Sequence, residues 1–114
     1  MFLIILMLIK DKKLFLYEMK DRSLDIKLTG EIDHHCAKQY INGISSKLEA
    51  YAPAVCLLDF QEVSFVDSSG IAVVINALRN MTQIEGKLIL TGIGIQPMRV
   101  FRASGIDKLV EMKE

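Results

Sequence analysis

The residues of this sequence best suited to chemistry are Asp67-Ser68-Ser69-Gly70, which put two hydroxyls and a carboxylate between a strand segment and a helix. A helix presents unpaired backbone amides at its start, and Asp and Ser are the types any helix start prefers, so a plain cap would account for them. The functional alternative is a serine that accepts a phosphoryl group. A dianion there is stabilised by the helix dipole and free amides, and it adds about −2 charge beside Asp67, a change a partner can read.

The paired His34-His35 raise the idea of a hydrolase, with Ser68 or Ser69 as nucleophile and an Asp as orienter. The chain has no G-x-S-x-G elbow, and histidines at a helix start ordinarily cap it or face solvent. As metal ligands they fare no better: adjacent helical residues diverge by about 100°, and no H-E-x-x-H spacing accompanies them. Cys36 and Cys56 lack C-x-x-C spacing and sit in apolar surroundings, so both read as reduced, small hydrophobes. Gly92-Ile93-Gly94 lacks the rest of any dinucleotide or P-loop fingerprint and reads as a flexible loop. No catalytic residue, metal or cofactor is expected.

Several elements must hold the Asp67 loop. Leu14 to Met19 is a short apolar run, Lys20-Asp21-Arg22-Ser23 a polar turn, and Leu24 to Leu28 alternates apolar with polar, which predicts an antiparallel hairpin. Between Asp33 and Ala52, the residues Ala37, Ile41, Ile44, Leu48 and Tyr51 share one helical face, with Asp33 as N-cap and Pro53 beyond the end. Gly43 costs that helix about 1 kcal/mol relative to Ala. Val55 to Phe60, apolar at five of six positions, suits a central strand covered on both faces.

After Gln61 to Val66 and the Asp67 loop, Ile71 to Arg79 is apolar almost all round its first two turns, which predicts a largely buried helix. Lys87 to Thr91 is a further strand. Pro97 opens a short helix that stops at Gly105, with Phe101 and Ile106 placed for the hydrophobic contact of a Schellman ending. Leu109 to Met112 supplies a last short strand. The order β β α β α β α β predicts an α/β fold (α+β by some schemes): a single mixed β-sheet of about four to five strands with helices packed on it.

With 114 residues, 51% of them hydrophobic, one domain is the natural organisation. Basic and acidic side chains balance at 14 each, which removes the electrostatic footprint of nucleic-acid or acidic-membrane binding. The first nine residues, Met1 to Ile9, are all apolar. A spanning helix needs about 20, and the features of a secretory signal are missing. Three readings stay open for this leader: an added edge strand, a true start further along at Met7, or a weak membrane or partner contact. The chain thus divides into a leader, 1–13, of open status and a domain, 14–114.

The stretches Leu28-Thr29-Gly30-Glu31-Ile32-Asp33-His34-His35, Leu57-Leu58-Asp59-Phe60, Val63-Ser64-Phe65-Val66-Asp67-Ser68-Ser69-Gly70-Ile71 and Phe101-Arg102-Ala103-Ser104-Gly105-Ile106 resemble the STAS domain of bacterial anti-sigma-factor antagonists, the sporulation type above all. The resemblance runs from residue 14 to about 112 and implies a STAS-like fold. It further implies a binding protein of the cytoplasm, monomeric or weakly dimeric, rather than an enzyme. In that family the unphosphorylated antagonist binds an anti-sigma factor that is also a serine kinase and so frees the sigma factor. Phosphorylation of the first serine of the D-S-[ST]-G segment ends the interaction, and a metal-dependent serine phosphatase restores it.

Carried over by position, the acceptor is Ser68, flanked and shaped by Asp67 and Ser69. Gly70 would let the kinase backbone approach, and Glu31 and Asp33 would belong to the neighbouring partner surface. Ile71 would be an apolar contact at the start of the buried helix, or else a core residue. Family members commonly carry a further helix after the last strand, so a helix-packing face is expected to be less covered in a sequence running to Glu114. They also usually begin near residue 9 or 10, which favours Met7. The alternative keeps the fold and changes the role: a STAS module of a stress-sensing complex, an anion transporter or lipid transport, binding other partners or a small ligand.

Overall fold

Leu24, Ile26 and Leu28 alternate with Asp25, Lys27 and Thr29, and in the computed structural model, which describes residues 3–6 and 15–113, this alternation orients the whole sheet. Strand β3 (Ser23–Ile32) buries the three apolar side chains beneath the helices and turns the polar set to the opposite face. Strand β2 (Phe15–Lys20) pairs with it antiparallel through a tight turn in which Asp21 takes a left-handed φ of 56°. The predicted hairpin is therefore present. The expected sheet of four to five strands is present, and β1 (Leu3–Leu6) adds one more, antiparallel to β2 at the edge. The remainder of the leader lies outside the described residues.

Beyond the hairpin, helix α1 (Ala37–Tyr51), strand β4 (Val55–Val66), helix α2 (Ser69–Gln83), strand β5 (Lys87–Thr91), helix α3 (Ile95–Ser104), a 3-10 turn (Ile106–Lys108) and strand β6 (Glu111–Lys113) complete the chain. Strands β3 to β6 run parallel in the order of the sequence. Parallel crossovers are right-handed, and a strand order that always advances in one direction then puts every crossover helix on the same face. Accordingly α1 packs on α2 and α2 touches α3.

This corrects one expectation. Within β4, Cys56, Leu58 and Phe60 are buried under the helices, while Val55, Leu57 and Asp59 are only half-buried on the open face. The apolar run marks β4 as central; the handedness of the connections decides how many of its faces are covered.

The core lies between that face and the helices. It contains Tyr40, Ile44 and Leu48 of α1, Val73, Val74, Ala77 and Met81 of α2, and Phe101 of α3. Phe101 meets Phe60 edge-to-face with centroids 5.5 Å apart, a geometry worth about 0.5–1.5 kcal/mol beyond area burial. Polar side chains are also used: Ser45 Oγ donates to Asn76 Oδ1 at 2.9 Å and accepts from Asn80 Nδ2 at 2.8 Å, fixing the register of α1 against α2.

Strand β4 extends six residues past the apolar run, and over this stretch its pairing with β3 is irregular. Two register shifts fall between Lys27 and Thr29 and between Gly30 and Glu31. Burial along β4 consequently steps from Cys56, Leu58 and Phe60 to Val63 and Val66, leaving the period of two. Gly30 takes φ 93° within this irregular stretch, a conformation costly for any residue with a Cβ. The bulged register brings Ile32 opposite Val66, so that both strands end together.

Helix α3 begins two residues before Pro97, which still lies in the first turn where a missing amide does no harm. Gly105 ends it at φ 86°, its N–H reaching the Phe101 and Arg102 carbonyls, and Phe101 and Ile106 are both buried as the ending requires.

Candidate functional site

The carboxyl ends of β3, β4 and β5 share one edge of the sheet, the place where open α/β sheets put their binding loops. Three loops meet the solvent there: Asp33 to Cys36, Asp67 to Ser68, and Gly92 to Gly94.

Asp67 ties the first two together. Its main-chain N–H donates to the Ile32 carbonyl at 3.1 Å, continuing the β3–β4 ladder. Its Oδ1 accepts the Ser69 N–H at 2.7 Å, and its Oδ2 accepts the His34 N–H at 3.2 Å. The His34 ring stands close, with Nδ1 3.8 Å from the same Oδ2. One carboxylate thus satisfies a first-turn amide of α2 and holds the β3–α1 loop.

Ser68 occupies the N-cap position of α2, is exposed, and makes no side-chain capping hydrogen bond. The plain-cap reading of its hydroxyl therefore does not apply, since Asp67 has taken that task. Ser69, half-buried, begins the helix. Gly70 is buried, and a Cβ at this position would collide with the Val66 side chain and lie 3.6 Å from Ile32. A glycine is required here by the domain itself, because the first turn of α2 packs closely on the ends of β3 and β4. Ile71 is half-buried and packs against the core, leaving part of its side chain at the surface.

Glu31 is exposed. Asp33 is half-buried, and its Oδ1 accepts the His35 N–H at 3.0 Å, the Cys36 N–H at 3.2 Å and the Cys36 thiol at 3.2 Å. The thiol bond above all, with the two main-chain donors, holds the Asp33 carboxyl below the usual carboxylate range. The expectation of Asp33 as N-cap is corrected by three residues: α1 starts at Ala37 with Cys36 at the cap, because Asp33 closes a separate turn over His34 to Cys36.

Cys36 and Cys56 are both free thiols. Burial raises the Cys36 thiol above its usual value and pushes Cys56 up to about 12, so both are held as neutral thiols. Among the described residues no group of three or more His, Cys, Asp and Glu side chains is placed to hold a metal ion.

Sequence reasoning missed Gln96. Its Oε1 accepts the Val66 N–H at 2.9 Å and its Nε2 donates to the Val66 carbonyl at 2.8 Å, pinning the start of α3 to the residue before Asp67. The partners are 30 residues apart, and nothing in their local spacing signals the contact.

A family model described as "STAS domain" matches residues 16–114. The chain belongs to the STAS family of anti-sigma factor antagonists. It is 31% identical over 102 residues to the anti-sigma-B factor antagonist of Listeria monocytogenes, covering 84% of this chain and 86% of that one. Among solved structures, the anti-sigma factor antagonist SpoIIAA in its unphosphorylated form superposes with a TM-score of 0.75 at 31% identity, covering 88% of both chains. The Bacillus cell fate determinant SpoIIAA in the phosphorylated form superposes with a TM-score of 0.67, again at 31% identity, covering 88% of this chain and 91% of that one. In this STAS domain the bulged β4, the Asp67 bridge and the exposed Ser68 form a single unit at one edge of the sheet.

Proposed function

We propose that this chain is a phosphorylation-switched binding protein of the cytoplasm. Unphosphorylated, it binds an anti-sigma factor that is also a serine kinase and thereby frees a sigma factor for transcription. The kinase ends the complex by phosphorylating Ser68, and a metal-dependent serine phosphatase restores it. The chain catalyses nothing itself and uses no cofactor. The observation that supports this most directly is the state of Ser68: exposed at the N-cap of α2, with its hydroxyl unused because Asp67 caps the helix. A relative solved in unphosphorylated and phosphorylated forms supports the same reading. Among the described residues no helix is long and apolar enough to cross a membrane.

The switch needs only local electrostatics. A phosphate on Ser68 sits on the dipole of α2, which stabilises it, and faces a surface that already carries Asp67, Asp33 and Glu31. A partner complementary to the uncharged serine then meets like charge and a costly desolvation. Each 1.4 kcal/mol of that loss weakens binding about tenfold. The test is intact-mass spectrometry after incubation with ATP, magnesium and the anti-sigma-factor kinases of the source genome. Wild type gains the mass of one phosphate and Ser68→Ala does not; a gain in both, or in neither, contradicts the assignment.

A further inference from the structure

The third loop of the same edge leads to the most exposed of the large apolar side chains among the described residues, Ile95 at 77%. A lone exposed isoleucine is ordinary on a protein surface. This one is set apart by its anchorage. Ile95 opens α3, and the next residue, Gln96, engages both main-chain groups of Val66. Val66 directly precedes Asp67, so Ile95 is held at a fixed position beside the Ser68 loop. It borders a surface hollow of about 310 Å³, lined also by Ile93, Met98, Arg99 and Arg102.

Two further apolar side chains lie on this edge, one on each side of Ser68 in the chain: Phe65, 39% exposed, and half-buried Ile71. The charge is divided across the same edge. Glu31 at the end of β3 and Asp33 and Asp67 of the first two loops are acidic, whereas the third loop carries no carboxylate and its helix supplies Arg99 and Arg102.

The geometry points to Ile95 as an apolar anchor for the same anti-sigma factor, an inference that rests on the functional reading above. Its side chain enters a hollow on the partner and supplies affinity that does not depend on charge. The acidic side of the edge, next to Ser68, supplies the part that phosphorylation reverses. A few anchors that fill well-packed, desolvated pockets carry most of an interface's affinity.

The test is calorimetric titration of the unphosphorylated chain with each purified anti-sigma-factor kinase of the source genome, comparing wild type, Ile95→Ser and Leu109→Ser. Leu109 is 60% exposed but precedes β6, at the opposite edge of the sheet. Ile95→Ser is expected to weaken Kd about tenfold or more, by the same factor at low and high ionic strength, with an unchanged Tm and with Ser68 still phosphorylated at high kinase concentration. Leu109→Ser is expected to bind as wild type does. Equal Kd for wild type and Ile95→Ser, or equal weakening by both variants, overturns the role of Ile95 and leaves the Ser68 switch standing. A wild-type chain that no kinase binds or phosphorylates overturns both.

Discussion

Asp67 Oδ1 accepts the main-chain N–H of Ser69 at 2.7 Å, and in doing so it releases Ser68 from capping the helix on which it stands. A serine at an N-cap normally contributes to stability, and its replacement by alanine costs about 1 kcal/mol. Here that cost belongs to the neighbour. Ser68→Ala is expected to change unfolding free energy by less than about 0.5 kcal/mol. Asp67→Ala, which removes the cap and the bridge to His34, is expected to cost about 1–2 kcal/mol. Urea denaturation of the two variants checks the division; a larger loss for Ser68→Ala than for Asp67→Ala contradicts it.

Gly70 tests how tightly the Asp67-Ser68-Ser69-Gly70 segment is seated. A methyl group there meets Val66, a residue with no exposed surface, so β4 or α2 must shift to admit it. Gly70→Ala is expected to destabilise the domain by about 1–3 kcal/mol, the range for overpacking a closed site, despite the better helix propensity of alanine. Thermal or chemical unfolding measures this directly.

Acid should weaken the β3–α1 loop. The Asp33 carboxyl is held below its ordinary range, principally by the Cys36 thiol, so the folded state favours its ionised form. A depressed folded pKa stabilises above the unfolded value of about 4, and the contribution is lost as pH falls through the folded pKa. The stability difference between wild type and Asp33→Asn is therefore expected to be larger at neutral pH than in acid. A difference that grows as the pH falls would contradict the sign.

Ala52 ends α1 in the left-handed region at φ 41° and is exposed. That conformation costs a residue with a Cβ roughly 1 kcal/mol, which glycine does not incur. Ala52→Gly is expected to raise stability by up to about 1 kcal/mol, read as a higher urea midpoint with an unchanged m value. A lower midpoint would mean that the left-handed C-cap is not the controlling factor there.

Much of this was legible in the residues. The alternation of Leu24 to Leu28, the helical spacing from Ala37 to Leu48 and the Gly105 ending each follow from a local period or a single backbone requirement, and all three are present. The D-S-S-G segment could be placed between a strand and a helix on the same grounds. What was hidden depends on contacts between distant segments. Gln61 to Val66 reads as a strand segment before the Asp67 loop, but its place as a continuation of β4 is masked because the register shifts against β3 destroy the period of two. The single-sided covering of β4 follows from crossover handedness, which no window of sequence contains. The division of labour between Asp67 and Ser68 was hidden for another reason: both types are good caps, and only the local geometry decides which one serves.

Under the function proposed above, one phosphate on Ser68 turns binding off. The direct test is to titrate each anti-sigma-factor kinase of the source genome with two forms of the chain, unmodified and stoichiometrically phosphorylated at Ser68. Phosphorylation is expected to weaken Kd by about a hundredfold or more, corresponding to a few kcal/mol of repulsion and desolvation. Equal affinity for the two forms would contradict it.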